Sequence, residues 1–270
     1  MDAHELAAVG AALLGAELRA ARRLSGGDLS SVVRIELADG RVAAAKNGPA
    51  PLAEAAMLQT MAKAGVPVPA VLGVNDRALV LSWVEGGDPL APAWGDMGAV
   101  AARLHAVVGP RYGWNEDYAF GAVRIDNRWC DRWPQFWAER RLLPQLPQLP
   151  APVSHRLEKL ADDLHNRLPA RPGPVLLHGD LWSGNVMARG DRVAALIDPA
   201  CYYGHAEVDL AMLQLFDASG PDFHRHYGPS EPDAQARLAI YQLWPALVHL
   251  RLFGSGYLAL VESRLAAAGV

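Results

Sequence analysis

Leu177-His178-Gly179-Asp180-Leu181-Trp182-Ser183-Gly184-Asn185, followed by Ile197-Asp198-Pro199, is the stretch on which the reading of this chain turns. It sets one aspartate five residues ahead of an asparagine. A second aspartate lies beyond a short hairpin, because Val186-Met187 and Val193 to Ile197 flank an Arg189-Gly190-Asp191 turn. Phosphoryl transfer from a magnesium nucleotide asks for three such groups: a carboxylate to receive the proton of the attacking hydroxyl, and an amide oxygen and a second carboxylate to hold the metal on the phosphates. Asp180 is then the candidate base, and Asn185 and Asp198 the candidate Mg2+ ligands. Two protein ligands suffice, since magnesium keeps water and phosphate oxygens for the rest. Alone, Asp180 would read as a helix-capping turn residue, Asn185 as a turn residue after glycine, and Asp198 as a strand end. Their joint spacing favours chemistry.

Protein kinases present these groups in the same chain order. Working outward, Lys46 ends a strand and Glu54 lies one turn into the next helix, an arrangement in which a lysine can bind the α/β-phosphates of ATP and be oriented by a carboxylate. The bland reading is a surface ion pair of little worth. Ala43-Ala44-Ala45 argues against it by leading Lys46 inward. Ser25 to Ser31 is the candidate phosphate-facing loop, where Gly26 and Gly27 let backbone amides approach and Ser30 or Ser31 offers a hydroxyl. There is no G-x-x-x-x-G-K-[ST], so this is not a P-loop nucleotidase. Ser82 and Val84 close a strand and enter a Gly86-Gly87-Asp88-Pro89 linker, where their backbone groups would meet adenine.

The surrounding pattern agrees. Ala3 to Leu14 has helical spacing. Val32 to Leu37 alternates as a strand, Asp39-Gly40 is a hairpin turn, and Arg41 to Lys46 returns. Pro51 to Ala64 is a helix, and Val68 to Val74 and Ala78 to Val84 are two more strands. Helices follow at Trp94 to Val107, Trp129 to Leu146 and His155 to Leu168, with Arg111 to Asn127 a loop, Pro147 to Pro152 a connector and three further helical stretches at the end. The expected fold class is α+β. A small sheet with one main helix occupies residues 1–84, the nucleotide-binding lobe, and a larger, mostly helical lobe occupies 85–270, the catalytic and substrate-binding lobe.

With 270 residues, 51% of them apolar, the chain can bury a large core. A formal net charge of −4 and the lack of a basic stripe argue against nucleic acid. Cys130 and Cys201 form no metal or disulfide pattern and read as reduced core thiols. Asp2, His4 and Glu5 are unlike a signal peptide. The apolar tract from Leu243 to Val261 is interrupted by Pro245, His249 and Arg251 and reads as a buried helix, not a membrane span. A cytoplasmic protein, monomer or weak dimer, is expected. Trp182 reads equally as packing or as a wall of the acceptor site. His249 reads as a core histidine, with an acceptor contact as the alternative. Asp209 reads as a brace for the loop around Asp180, and His178 as a pin for that loop.

The residues resemble the fructosamine kinase (ketosamine 3-kinase) family. HGDLxxxN is shared with aminoglycoside phosphotransferases and choline kinases. More pointed are Asp131-Arg132-Trp133-Pro134-Gln135-Phe136-Trp137-Ala138-Glu139-Arg140-Arg141-Leu142 and Tyr203-Gly204-His205-x-Glu207-x-Asp209-Leu210-Ala211-Met212, with Tyr112-Gly113-Trp114, Ile125-Asp126-Asn127 and the tail from Tyr241 to Gly254. The resemblance implies a protein-kinase-like bilobal fold. It implies ATP-dependent phosphorylation of the 3-hydroxyl of a ketosamine or glycated amine, followed by elimination that frees the amine. It places Asp180, Asn185, Asp198, Lys46 and Glu54 at the base, metal and nucleotide positions, and His249 at a sugar-binding one. The loop carries no cysteine, so thiol control there is not expected, and Ala45 replaces a more apolar residue before the lysine. An aminoglycoside or choline-type phosphotransferase, or a non-catalytic nucleotide-binding protein, remains an alternative.

Overall fold

The computed structural model describes residues 1–24 and 30–270. Spatial proximity along the backbone divides it into two units, Met1–Ala93 with Asn185–Pro199, and Trp94–Gly184 with Ala200–Val270. The sequence reading divides the chain between residues 84 and 85.

The first unit opens with α1 (Ala3–Leu13), whose N-cap Asp2 accepts the Glu5 N–H at 2.8 Å. Five strands follow: β1 (Leu18–Arg23), β2 (Val32–Leu37), β3 (Val42–Lys46), and then, after α2 (Pro51–Lys63), β4 (Val71–Val74) and β5 (Leu79–Ser82). They form one antiparallel sheet in the order β1-β2-β3-β5-β4. Strand alternation sorts the side chains by face. Val33, Ile35, Leu37, Ala43, Ala45 and Val80 pack against Leu6, Ala7 and Ala11 of α1. Ala44, Leu79 and Leu81 face Ala55 and Leu58 of α2. The small side chains of β3 let α1 sit close: a Cβ on Gly10 would lie 2.8 Å from that of Ala45. Lys46, two residues from Ala44, falls on the α2 face.

In the second unit, α3 (Trp94–His105) precedes a hairpin of β6 (Tyr118–Phe120) and β7 (Val123–Ile125). This hairpin lies in the stretch read as loop, where three-residue strands are too short to show alternation. The segment read as one helix from Trp129 to Leu146 is instead α4 (Trp133–Trp137), a wide π turn over Ala138–Leu142 and a 3-10 run over Leu143–Gln148. Pro144 and Pro147 remove the N–H groups that a continuing α-helix needs. Helix α5 (Ala151–Arg167) starts inside the expected connector, since Pro152 in its first turn forfeits no intrahelical bond. Strand β8 (Val175–Leu177) leads into His178.

The hairpin β9 (Val186–Arg189) and β10 (Arg192–Leu196) then folds with the first unit. The linker anchors it there: the Gly87 and Asp88 N–H groups donate to the Ala188 carbonyl at 3.0 and 3.1 Å, and the Gly190 N–H donates to Asp88 Oδ2 at 2.7 Å.

Strand β11 (Tyr202–Gly204) returns to pair antiparallel with β8 in the second unit. Four helices follow, α6 (Glu207–Phe216), α7 (Pro221–Tyr227), α8 (Ala234–Phe253) and α9 (Leu258–Ala267), one more than the sequence suggests. The last apolar tract is split because Gly254, at φ +85°, ends α8. Trp133, Phe136, Trp137, Tyr202 and Tyr241 are buried together at the centre, and the fully buried Arg141 guanidinium lies 4.2 Å from the Tyr202 ring centroid. Both cysteines are buried and neither is in a disulfide. Among the described residues no helix is long and apolar enough to cross a membrane.

Candidate active site

Within the first unit, Lys46 Nζ donates to Glu54 Oε1 at 2.8 Å and to Asp198 Oδ1 at 2.6 Å. The Lys46 and Glu54 side chains are 8% and 3% exposed, that of Asp198 36%, so the ammonium is held in the protein while one carboxylate faces outward. Burial pulls the Lys46 pKa down, but the charges of Glu54 and Asp198 outweigh it and hold it above its ordinary value. Glu54 lies in the first turn of α2, where the helix end favours a negative charge.

Asp198 is delivered by the β9–β10 hairpin. Beyond the Val186–Leu196 pair, the Ile197 N–H donates to the Asn185 carbonyl at 3.0 Å, so Asn185 and Asp198 meet at the open end of the ladder. Asn185 is buried. Asp198 has φ +56°, a left-handed conformation that costs a non-glycine residue roughly 1–2 kcal/mol. Its ion pair with Lys46 holds it there.

Asp180 stands in the second unit. The turn before it is fixed from behind by Asp209, whose carboxylate accepts the His178 N–H at 2.7 Å and the Gly179 N–H at 2.9 Å. His105 Nε2 donates to the same carboxylate at 3.1 Å and its Nδ1 meets the Tyr227 hydroxyl at 2.9 Å. The Asp180 N–H donates to His178 Nδ1 at 3.3 Å. Gly179 has φ +81°, and a Cβ there would lie 2.1 Å from the Ala200 carbonyl oxygen, so only glycine fits. The expected brace and pin are both present.

Trp182 is 38% exposed, and its ring lies over Gly184, where a Cβ would come within 2.3 Å of it. It meets Phe216 edge-on at 6.1 Å, and Phe216 meets His249 at 4.9 Å. Trp182 and His249 are thus joined through Phe216. Ser30 precedes Ser31, whose N–H donates to Asn47 Oδ1 at 2.8 Å, which sets it beside the residue after Lys46. Gly26 and Gly27 lie outside the described residues. The Ser82 N–H is donated to the Ala70 carbonyl at 2.8 Å, so that donor is not available to a nucleotide. Val84 follows Trp83, over which Arg34 sits at 5.2 Å.

A family model described as fructosamine kinase matches residues 6–268. The chain belongs to the fructosamine kinase family. It is 39% identical over 225 residues to the probable ketoamine kinase of Synechocystis, covering 76% of this chain and 74% of that one. To the probable ketoamine kinase of Thermus thermophilus it is 36% identical over 255 residues, 90% of this chain and 92% of the other. A crystal structure of a Thermobifida fusca protein, provisionally named a fructosamine-3-kinase, superposes with a TM-score of 0.90 at 33% identity and 99% coverage of both chains. The chain is accordingly an ATP-dependent phosphotransferase with the kinase-like α+β fold of its family.

Three supports of this fructosamine kinase family site escape the sequence reading. Asp217 Oδ2 accepts the Ser183 N–H at 2.8 Å, Asn47 holds Ser31, and Asp88 holds the β9–β10 turn. Each is a side chain bonding to backbone far along the chain, with no local pattern to mark it. The carboxylate after Phe216 and the Asn-Gly pair after Lys46 were the only traces.

Proposed function

We propose that this chain transfers the γ-phosphoryl group of ATP to the 3-hydroxyl of a ketosamine. The observation that carries the reading is the Lys46 ammonium clasped between Glu54 and Asp198 at 2.8 and 2.6 Å, with Asn185 beside Asp198 at the hairpin end. In this reading Lys46 neutralises the α/β-phosphates and Glu54 keeps it aimed. Gly26, Gly27 and Ser30 cover the phosphates, and the Ser82–Val84 segment receives the base. The donor set of one amide oxygen and one carboxylate suits a hard cation such as Mg2+ better than a thiophilic one. Bound there, the ion would screen charge on the phosphates.

Asp180, presented by the braced turn, accepts the proton as the acceptor oxygen attacks. Trp182 and His249 line the acceptor side. The position of transfer is supported by the name given to the Thermobifida relative. A phosphate on the oxygen at C-3, adjacent to the C-2 carbonyl, is set up for elimination: loss of a C-1 proton gives the enaminol, inorganic phosphate leaves from C-3, and water then hydrolyses the C-1 imine so formed, which frees the amine. The lobe boundary near residue 84 belongs to the same proposal: nucleotide contacts before it, acceptor and base after it.

The test is phosphorylation of a simple fructosamine and a ribulosamine with ATP and Mg2+, the product read by phosphorus NMR. Coupling of the phosphorus to the C-3 proton is expected. Asp180→Asn should lower turnover by about 10²–10⁴-fold, the range for a lost general base, while nucleotide binding persists. Phosphate on another oxygen, or unchanged turnover in the variant, rejects the assignment.

A further inference from the structure

The His105 imidazole of α3 reaches in two directions. Its Nε2 lies 3.1 Å from Asp209 Oδ2 of α6, and its Nδ1 lies 2.9 Å from the Tyr227 hydroxyl of α7. The His105 and Asp209 side chains are 5% and 1% exposed. Asp209 accepts the His178 and Gly179 N–H groups, which lead the chain into Asp180. One run of bonds thus passes from α7, through α3 and α6, to the loop of the proposed base.

Helix α7 is seated so that the hydroxyl arrives there. Gly98 of α3 lets it in: a Cβ at that position would stand 2.3 Å from the Phe223 carbonyl oxygen and 3.1 Å from the Tyr227 backbone nitrogen. Phe223 is fully buried, and its ring stacks on that of Tyr227 at 5.7 Å and 9°. The Tyr227 ring meets His105 edge-on at 5.6 Å. Packing grips the phenol, and among the described residues its hydroxyl has no partner besides His105.

The direction of each bond follows from what each group can do. A carboxylate accepts, so Nε2 carries a proton. A hydroxyl can give or take. Were it to take a proton from Nδ1, the ring would be an imidazolium and the O–H would be left without an acceptor. Burial, reinforced by the charges of Asp209, Glu231 and Glu207, raises the Tyr227 pKa and keeps the hydroxyl protonated. The arrangement that satisfies every group is Tyr227 O–H donating to Nδ1 and Nε2–H donating to Asp209, each bond polarising the next. The other neutral tautomer would set the Nε2 lone pair against the carboxylate.

We propose that Tyr227 is a positioning residue for phosphoryl transfer: its hydroxyl holds His105 as an Nε2–H donor to Asp209, and Asp209 so held fixes the turn that presents Asp180. This rests on the reading of Asp180 as the base and adds a remote helix to the parts that place it. A small misplacement of a base is felt in turnover, and none of the proposed nucleotide contacts lies on this run.

The experiment removes one oxygen. Tyr227→Phe should lower kcat with a simple fructosamine by about three- to tenfold, the rate equivalent of one lost hydrogen bond, and leave KM for ATP unchanged. In a His105→Gln background, where the amide keeps a donor for Asp209 but offers no Nδ1, the same substitution should cost nothing further. Ring 15N NMR of His105, assigned by its absence from His105→Gln, should show Nε2 protonated and Nδ1 unprotonated but hydrogen-bonded. Tyr227→Phe should move Nδ1 toward the value of a free lone pair. An unchanged kcat in Tyr227→Phe, an equal fall in both backgrounds, a parallel loss of ATP affinity, or an imidazolium pattern in the wild type overturns the proposal while leaving Asp180 as the base. Turnover retained in Asp180→Asn removes the base assignment instead, and the role of Tyr227 with it.

Discussion

Lys46 shows how a single residue couples stability to chemistry. Its charge is buried and balanced by Glu54, itself only 3% exposed. Breaking such a pair from one side strands the other charge, at a cost of about 3–5 kcal/mol, whereas replacing both partners is often close to neutral. Lys46→Met should therefore lower the unfolding free energy by about 3 kcal/mol or more, and the double variant Lys46→Met/Glu54→Gln should recover most of it. Neither should regain turnover. Chemical denaturation of the four-member cycle, with ATP consumption measured in parallel, checks this; a double variant destabilised by the sum of the two single effects would mean that the pair is not coupled. The sign of the pH effect follows from the raised Lys46 pKa: its stabilisation is complete below the ordinary lysine value of 10.5 and fades only as pH climbs through the raised one. Lys46 thus adds no slope near neutrality. The meeting of Lys46, Glu54 and Asp198 was legible in the sequence because phosphoryl transfer prescribes both their types and their order, and the proposed roles of Asp180 and Asn185 rest on the same order. Asp217 and Asn47 were not, because a carboxylate or amide bonding to a distant backbone N–H can come from any loop.

Between elements, the clearest tie is a run of hydrogen bonds joining α4, the start of α6 and α8. Trp133 Nε1–H donates to the Tyr241 hydroxyl at 2.9 Å, and that hydroxyl lies 2.7 Å from His205 Nδ1. His205 Nε2 lies 3.2 Å from Glu231 Oε2. The direction is set at both ends: Trp133 can only donate and Glu231 only accept, so Tyr241 donates to Nδ1 and Nε2 carries the proton. Glu231 shares its neighbourhood with Glu207, which is bound twice by Arg237 at 2.7 and 2.5 Å. Burial lowers the His205 pKa despite the two glutamates. A proton on Nδ1 would face the Tyr241 donor and break the run. The linkage sign follows: with the folded pKa depressed below the ordinary 6.5, this contribution is full above pH 6.5 and is lost as pH falls, because the unfolded chain takes up a proton that the folded one refuses. Stability should drop between pH 7.5 and 5.5, and His205→Asn should flatten that slope while costing about 1–2 kcal/mol at pH 7.5, the range for a buried hydrogen bond left unmade. Urea midpoints at the two pH values decide it; an undiminished slope in the variant would place the titration elsewhere. Legibility at this scale tracks length and alternation. The β2–β3 hairpin and α2 stand out because six- and thirteen-residue periods are long enough to read. The β6–β7 hairpin and β11 are three residues per strand and become strands only through their partners. The Trp129 to Leu146 stretch keeps an amphipathic pattern across three helix types, which pattern alone cannot separate.

At the scale of the whole molecule, the division of labour follows the chain's own bookkeeping of units. The proposed nucleotide and metal residues described, Ser30, Lys46, Glu54, Ser82, Val84, Asn185 and Asp198, all belong to the first unit, while Asp180, Trp182 and His249 belong to the second. The β9–β10 hairpin makes this possible, since the linker bonds at Ala188 and Gly190 carry it into the first unit although it follows the Asp180 loop in sequence. A ligand that binds only the folded state raises stability by about 2.7 kcal/mol at one hundred times its Kd. For a chain of this size that amounts to roughly 5–10 °C in apparent unfolding temperature. A non-hydrolysable ATP analogue with Mg2+ should therefore raise the unfolding temperature of the wild type and of Asp180→Asn alike. Asp198→Asn should lose the magnesium-dependent part of the shift, and EDTA should remove the same part from the wild type. Differential scanning fluorimetry across the three proteins, with and without the cation, reads this directly. An Asp198→Asn protein that keeps the full magnesium-dependent shift would take the metal away from the hairpin end, and an Asp180→Asn protein that loses the nucleotide shift would place Asp180 among the nucleotide contacts instead of at the proton.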